Sequence, residues 1–178
     1  MKILAISGSL RRASSNGTVL QAMRRLAKPP VDIAIYAGLG ALPHFNPDFD
    51  NELIPALAAQ LRDEVAQADG LIISSPEYAH GVPGSLKNAL DWLVGALDFA
   101  GKPVALINTA PRATHAQAML RETLTTMAAN IVADASITIE VPRLGATVDD
   151  VLADARCAAA LAAAIETFAR AMDSARDD

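Results

Sequence analysis

Five short apolar segments recur along the chain, and each is followed by a longer segment in which apolar residues return every three or four positions. Strands bury residues with a period of two or in continuous runs, whereas a helix buries one stripe with a period of about 3.6. The pattern therefore predicts five strands that alternate with five helices. The predicted strands lie at residues 2–7, 31–36, 71–75, 104–108 and 136–141.

The helical segments carry start signals and apolar stripes. Asn16 is predicted as the N-cap of the first helix, and a Thr147-x-x-Asp150 capping pattern starts the last one. Asp91 and Trp92 fall off the stripe of the third helix and are expected at the surface or against a partner subunit. The predicted stripes of helices two to five are Leu53, Leu57, Leu61 and Val65; Leu86, Ala89, Leu90 and Leu93; Leu120, Leu124, Met127 and Ile131; and Leu161, Ile165, Phe168 and Met172.

The strand compositions predict the order of the sheet. The first, third and fourth strands are continuous apolar runs, which is typical of parallel strands buried on both faces. The second and fifth alternate apolar and polar residues, as half-exposed edge strands do. These features predict one α/β domain over residues 1–178: a flavodoxin-like three-layer sandwich with helices on both faces of a five-stranded parallel sheet of order 2-1-3-4-5. In this order ligands bind between strands one and three, at their carboxyl ends.

Composition limits the class of protein further. Much of the 52% apolar content is alanine, and one cysteine, Cys157, excludes an internal disulfide framework. No apolar run approaches the ~20 residues of a membrane span, and the net charge of −5 disfavours nucleic acid as the main partner. We therefore expect a cytoplasmic protein with no membrane or nucleic-acid partner. His44 and His115 have no ligand residues at metal-binding spacing, so no metal is predicted.

Residues 8–16, between the first strand and the first helix, have the composition of a phosphate-binding loop. Gly8 allows a tight turn, Arg11 can add a charge-assisted contact, and further donors come from Ser9, Ser14, Ser15 and Asn16. The N–H groups at the start of the helix add a partial positive charge. The chain lacks both G-x-x-x-x-G-K-[ST] and G-x-G-x-x-G, so a mononucleotide phosphate fits better than a P-loop or dinucleotide site. The alternative is an ordinary polar loop with a capped helix.

Two further loops follow the neighbouring strands. Residues 76–84 hold two prolines and two glycines, so this stiff loop can offer backbone groups to a flat heterocycle bordered by Tyr78 and His80. The alternative is a structural turn with Glu77 in solvent and Tyr78 packed. Residues 109–114 place Arg112 among small residues and could wall the far side of a planar ligand, although for this loop alone a structural role is the stronger interpretation.

Two segments together resemble the NAD(P)H-dependent FMN reductase family, which includes chromate and quinone reductases and relatives of azoreductases. They are G-S-L-R-R-A-S-S-N at residues 8–16 and P-E-Y-A-H-G-V-P-G-S-L-K-N-A-L-D-W-L at residues 76–93, and the resemblance covers the chain from Met1 to about Ile131. It implies a flavodoxin-like fold with FMN as cofactor and NAD(P)H as co-substrate. It also implies a small-molecule electron acceptor, such as free flavin, a quinone, an azo compound or chromate, and a homodimer or homotetramer.

The resemblance assigns site residues to the three loops. The FMN phosphate would be held by Ser9, Arg11, Ser14, Ser15 and Asn16. The isoalloxazine would lie along Pro76, Glu77, Tyr78, Ala79, His80 and Gly81, and its pocket would be completed by Ala110, Pro111 and Arg112. Many relatives have Asn where this chain has Ala79, so a side-chain amide contact to the flavin or to a neighbouring subunit is absent. The chemistry belongs to the flavin, so no catalytic residue is predicted.

Two other functions stay open at this stage. A flavodoxin-type electron carrier would bind FMN without turning over a substrate of its own. A flavin-free regulatory or nucleotide-binding domain would use the same loops for another ligand. Aromatic residues make up only 4% of the chain, so few are available to sandwich a flavin ring as in one-electron carriers. This composition favours the reductase.

Overall fold

The computed structural model describes residues 1–177 of the chain and the side chains of residues 1–174. The strands are β1 (Lys2–Ser7), β2 (Asp32–Ile35), β3 (Gly70–Ser74), β4 (Pro103–Asn108), β5 (Asn130–Ile131) and β6 (Ile137–Thr138). The helices are α1 (Ser15–Leu26), α2 (Ala56–Gln67), α3 (Gly84–Val94), α4 (Thr114–Thr126), α5 (Val148–Ala153) and α6 (Ala155–Asp177). All strand pairs are parallel, in the order β2-β1-β3-β4-β5 with β6 also on β4. The predicted flavodoxin-like order is confirmed.

The fifth strand is split, and the prediction of one continuous strand at residues 136–141 is wrong. β5 pairs with the start of β4 and β6 with its end, while a 3-10 helix, Ala133–Ala135, lies between them. Across the gap the N–H of Leu106 donates to Ser136 Oγ at 3.0 Å, so a side chain replaces the missing strand acceptor. Ile131, predicted on the stripe of α4, belongs to β5 because α4 has already ended.

Each face of the sheet has its own apolar core, since successive residues of a strand point to opposite faces. Ile3 and Ala5 pack with α1, α5 and α6, whereas Leu4 and Ile6 pack with α2, α3 and α4. The predicted stripes of α3 and α6 are buried and therefore confirmed. Both faces of the sheet are thus covered by helices, which leaves the carboxyl ends of the central strands as the open edge.

The predicted stripe of α2 is only half correct. Leu53 precedes the helix and is 68% exposed, and Leu57, in its first turn, is 39% exposed. Pro55 occupies the N-cap position, so the helix starts later than the apolar spacing indicates. The residues of α2 that reach the core are Ala58, Leu61 and Val65.

The predicted last helix consists of two helices that meet at Asp154. Its capping box is confirmed: Thr147 Oγ1 accepts from the N–H of Asp150 at 3.2 Å, and Asp150 Oδ2 accepts from the N–H of Thr147 at 2.7 Å. Asp154 then caps α6 by accepting from the N–H groups of Arg156 and Cys157. The bond from Cys157 is the main cause that holds the pKa of Asp154 below its usual value.

The long loop between β2 and α2 covers the outer face of α3. Asn88 holds it at two points, because its Oδ1 accepts from the N–H of Phe45 at 2.7 Å and its Nδ2 donates to Pro43 O at 2.9 Å. Trp92 Nε1 donates to Pro43 O at 2.8 Å, and its ring meets Phe45 edge-on. Trp92 is fully buried, so its expected place at the surface or against a partner is wrong, while Asp91 stays partly exposed.

Replacing Asn88 by Ala should destabilise the fold, because it removes both hydrogen bonds and leaves the N–H of Phe45 without this acceptor. We expect the free energy of unfolding, measured by urea denaturation, to fall by about 1–3 kcal/mol. Gln60→Ala is the matched control, since Gln60 bonds to Glu64 on the exposed side of α2. This substitution should change the free energy of unfolding by less than about 0.5 kcal/mol. Equal losses in both variants would contradict this role of Asn88.

Candidate functional site

The carboxyl ends of β1, β3 and β4 open into one cavity of about 530 Å³. Its volume lies within the range of about 300–1,000 Å³ that is typical of small-molecule sites. Four residues predicted for the site do not line the cavity: Ala79, His80, Gly81 and Arg112. The ten that do are Ser9, Arg11, Ser14, Ser15, Asn16, Pro76, Glu77, Tyr78, Ala110 and Pro111.

Helix α1 begins at this cavity with Ser14 as its N-cap. The hydroxyl of Ser14 accepts from the N–H of Gly17 at 3.4 Å, and its carbonyl accepts from the N–H of Thr18 at 2.8 Å. The prediction of Asn16 as the N-cap is therefore wrong by two residues. Among the described residues, no acceptor meets the N–H groups of Ser15 and Asn16. As the first amides of a helix they face out from its end, where an anion is favoured.

Asn16 is 5% exposed and ties α1 to two strand ends. Its Oδ1 accepts from Ser74 Oγ at 2.8 Å, at the end of β3, and from Thr109 Oγ1 at 3.3 Å, just after β4. Ser74 Oγ also lies 2.7 Å from Ile107 O, so its single proton is shared between two acceptors. Thr109 lines the cavity as well, and the sequence analysis does not select it. These contacts fix the start of α1 relative to β3 and β4.

Gly8 is required by close packing rather than by its φ angle. Its N–H donates to Ser74 O at 2.8 Å, which holds the β1–α1 loop against the end of β3. A Cβ at position 8 would lie 2.9 Å from Ser75 Oγ and 3.0 Å from Leu86 Cδ2. Non-bonded carbon atoms prefer about 3.5–4.0 Å, so a larger residue would push the two loops apart.

Residues 78–81 form a two-residue hairpin turn at the rim of the cavity. Tyr78 and Gly81 exchange both backbone hydrogen bonds, at 3.1 and 2.9 Å. Between them, Ala79 and His80 have φ angles of +48° and +62°. Positive φ at both central residues is the mark of a type I′ turn, which favours Asn and Gly because a Cβ is strained there. The rim therefore carries backbone strain at two consecutive residues.

Glu77 connects this second loop to the start of α4. Its Oε2 accepts from the N–H of Ala116 at 2.8 Å. The His80 ring stacks on the His115 ring, with centroids 4.4 Å apart and planes 14° from parallel. The alternative interpretation, with Glu77 in solvent and Tyr78 packed, is wrong on both points, because Glu77 bonds to α4 and Tyr78 is 51% exposed.

Asn108 sets the shape of the third loop from within. It is 7% exposed, and its Oδ1 accepts from the N–H of Ala110 at 3.0 Å. Ala110 O in turn accepts from the N–H of Ala113 at 2.8 Å, which closes a turn. This turn places Ala110 and Pro111 at the cavity, whereas Arg112 is exposed outside it.

A fourth wall of the cavity, residues 140–144, escapes the sequence analysis. Arg143 lines the cavity and donates to Asp150 Oδ2 at 2.6 Å. From the other side, Cys157 Sγ donates to Glu140 O at 3.3 Å, and burial raises the pKa of this thiol. Cys157 is a free, buried thiol. The signal that could have found this wall is its position, since it follows the carboxyl end of the last strand.

The described residues contain neither a metal-binding cluster nor a membrane-spanning helix. Within the part of the chain whose side chains are described, no group of three or more His, Cys, Asp and Glu could hold a metal ion. No described helix is long and apolar enough to cross a membrane.

Comparison with known proteins gives the site its context. A family model described as NADPH-dependent FMN reductase matches residues 1–142. The chain belongs to this family. Among curated relatives, 2-hydroxy-1,4-benzoquinone reductase of a Burkholderia species is 41% identical over 113 residues, which cover 61% of this chain and 60% of the relative. Quinone reductase of Escherichia coli K12 is 36% identical over 109 residues, which cover 60% and 58%.

Other relatives extend this picture. An NAD(P)H-dependent FMN reductase of Pseudomonas aeruginosa is 35% identical over 129 residues, covering 70% of this chain and 69% of the relative. The matched part spans about three fifths of the length of the two relatives above. FerB of Paracoccus denitrificans, a flavoenzyme NAD(P)H:(acceptor) oxidoreductase, superposes with a TM-score of 0.78 and 26% identity over 97% of both chains.

The cavity of this FMN reductase family member fits a flavin mononucleotide. A phosphate needs several donors and a positive field, and both are present at the end of α1. The donors are the amides of Ser15 and Asn16, the hydroxyls of Ser9 and Ser14, and the guanidinium of Arg11. No carboxylate of the described residues lies within ion-pairing distance of Arg11. The second and third loops bound the remaining space.

Replacing Ala79 by Gly should stabilise this family member, because glycine adopts a φ of +48° without strain. We expect about 0.5–1 kcal/mol in the free energy of unfolding of the flavin-free protein, measured by urea denaturation. Ala100→Gly is the matched control, since Ala100 is exposed with φ −60°. This substitution should lower the free energy of unfolding by about 0.4–1 kcal/mol. A similar loss at both positions would show that the turn is not strained at residue 79.

Proposed function

We propose that the protein transfers a hydride from NAD(P)H to bound FMN and then reduces a second substrate, such as free flavin, a quinone, an azo compound or chromate. The observation that carries this proposal is the convergence of the three loops at residues 8–16, 76–84 and 109–114 on one cavity. Membership of the FMN reductase family supports it. Because curated relatives are named quinone reductases and FMN reductase, quinones and free flavin are the best supported acceptors.

The residues of the chain would bind and orient the reactants. When bound, FMN supplies the redox chemistry, because its ring accepts a hydride and passes the electrons on. Arg11 and the amides of Ser15 and Asn16 would hold its phosphate at the end of α1. Residues 76–78 and 109–111 would bound the ring. Of these, Glu77 and Thr109 would offer backbone N–H groups to its edge, since Pro76 and Pro111 carry no N–H and those of Tyr78 and Ala110 already donate within their loops. Fixed N–H dipoles of this kind stabilise the negative charge that develops on a reduced ring. No side chain is assigned an acid or base role.

The lining of the cavity favours an enzyme over an electron carrier. Tyr78 is the single aromatic residue among the described residues that line the cavity, and it is half exposed. A ring bordered by one aromatic side chain would keep one face open. NAD(P)H and the acceptor would use that open face in turn, which gives a ping-pong cycle.

We also propose a homodimer or homotetramer in the cytoplasm. Asp50 lies next to Gly95, so the long loop and the end of α3 form one surface. Large apolar side chains on this surface are exposed, and soluble monomers seldom leave such groups together in water. The exposed apolar residues are Phe49, Leu53, Val94 and Leu97.

The free thiol of Cys157 suits a reducing compartment, which supports the cytoplasm.

The activity test is anaerobic oxidation of NADH or NADPH by the FMN-loaded protein, with benzoquinone or free FMN as acceptor. We expect steady-state turnover with at least one nucleotide, and bleaching of the bound flavin when no acceptor is present. A protein that binds FMN but is reduced by neither nucleotide would instead support the electron carrier. A colourless protein that takes up no added FMN would support the flavin-free alternative.

Replacing Arg11 by Ala should weaken the binding of FMN, because a charge-assisted phosphate contact contributes about 1.5–3 kcal/mol, or roughly 10- to 150-fold in Kd. The measurement is the quenching of flavin fluorescence by the flavin-free protein. Riboflavin, which lacks the phosphate, should bind the variant and the wild type equally. Arg12→Ala is the matched control, since Arg12 is exposed but does not line the cavity. An unchanged FMN affinity in Arg11→Ala would remove Arg11 from the site.

A further inference from the structure

Helix α4 begins beside the cavity without a side-chain cap of its own. Its N-cap residue is Ala113, whose methyl group cannot accept a hydrogen bond. The N–H of Thr114 is met by Arg112 O at 3.0 Å. The next amides of the first turn need acceptors from elsewhere, because the first four N–H groups of a helix have no intrahelical partner.

Glu77 supplies such an acceptor from a different part of the chain. Its Oε2 lies 2.8 Å from the N–H of Ala116, the third residue of α4 and 39 positions away in the sequence. A carboxylate at this place satisfies an orphan amide and also opposes the positive end of the helix dipole. Glu77 therefore does for α4 what a side chain at position 113 would do in an ordinary helix.

A second contact joins the same two elements. The ring of His80 stacks on that of His115, the second residue of α4. Glu77 and His80 thus bind the second loop to the first turn of α4 at two neighbouring points. The cavity is lined on one side of this junction by residues 76–78 and on the other by residues 109–111 and Ala113.

We infer that Glu77 is a positioning residue that caps α4 and thereby sets the spacing of the two loops around the flavin ring. It acts through α4 and not as a ligand of the phosphate. That a flavin ring occupies the space between the loops rests on the proposed function. The cap itself rests on the contact between Glu77 and Ala116 alone.

The test compares Glu77→Ala with Glu77→Gln, which keeps an oxygen acceptor but loses the charge. The first readout is the Kd of FMN and of riboflavin, from quenching of flavin fluorescence. We expect Glu77→Ala to raise both values by the same factor, about 3- to 30-fold, so that the FMN-to-riboflavin ratio stays that of the wild type. Glu77→Gln should recover most of this loss. Glu122→Ala, which removes an exposed carboxylate from α4 itself, is the matched control and should leave both values unchanged.

The second readout is hydrogen exchange in the flavin-free protein, which needs no ligand. Exchange at the N–H of Ala116 should become at least tenfold faster in Glu77→Ala and stay close to wild type in Glu77→Gln. Unchanged exchange in Glu77→Ala would overturn the cap. Exchange could become faster while only the affinity for FMN falls, or while neither flavin binds more weakly. Either result would overturn the role of Glu77 in positioning the two loops around the ring. If the wild type bound neither flavin, the proposed function would fail, while exchange at Ala116 would still decide the cap.

Discussion

The site depends on the close approach of β1 and β3 at their carboxyl ends. Parallel strands lie about 4.8 Å apart because their backbone hydrogen bonds fix that spacing, and Gly8 extends it into the loop by donating to Ser74 O. The lack of a Cβ at Gly8 lets the loop pass beside Ser75. The chain then leaves the two strands in different directions, towards α1 and towards the second loop. The cavity is the space that opens between these two paths.

Asn16 extends this constraint from the sheet to the first turn of α1. A buried amide is costly unless its polar atoms are bonded, and the hydroxyls of Ser74 and Thr109 both donate to its oxygen. The start of α1 cannot move against β3 and β4 without breaking these bonds. The amides of Ser15 and Asn16 are therefore ordered before any ligand arrives, and preorganisation of this kind lowers the entropic cost of binding.

The strand order could be predicted because strands buried on both faces are continuous apolar runs in the sequence. The three loops could be predicted because they are rich in Gly, Pro and Ser. The split edge could not, since strands of two residues have no periodicity and Ser136 replaces a strand acceptor through a tertiary contact. Asn and Ser are equally good caps; what excludes Asn16 is its bond to Ser74, 58 residues away. Residues 140–144 reach the cavity through the pairing of β6 and the support of Cys157, which no local pattern encodes.

The strained turn and the start of α4 act on the same segment. Residues at positive φ persist only where their surroundings determine the conformation, and His80 is held there by its stack on His115. Neither Ala79 nor His80 lines the cavity, so the turn affects the site through Tyr78, which precedes it and does line it. Tyr78 is thus linked to α4 through the turn, which it closes by its two backbone bonds with Gly81. Any change that loosens the first turn of α4 should affect residues 76–78 before it affects the start of α1, because the bond from Ser74 to Asn16 holds that start to β3 and not to α4.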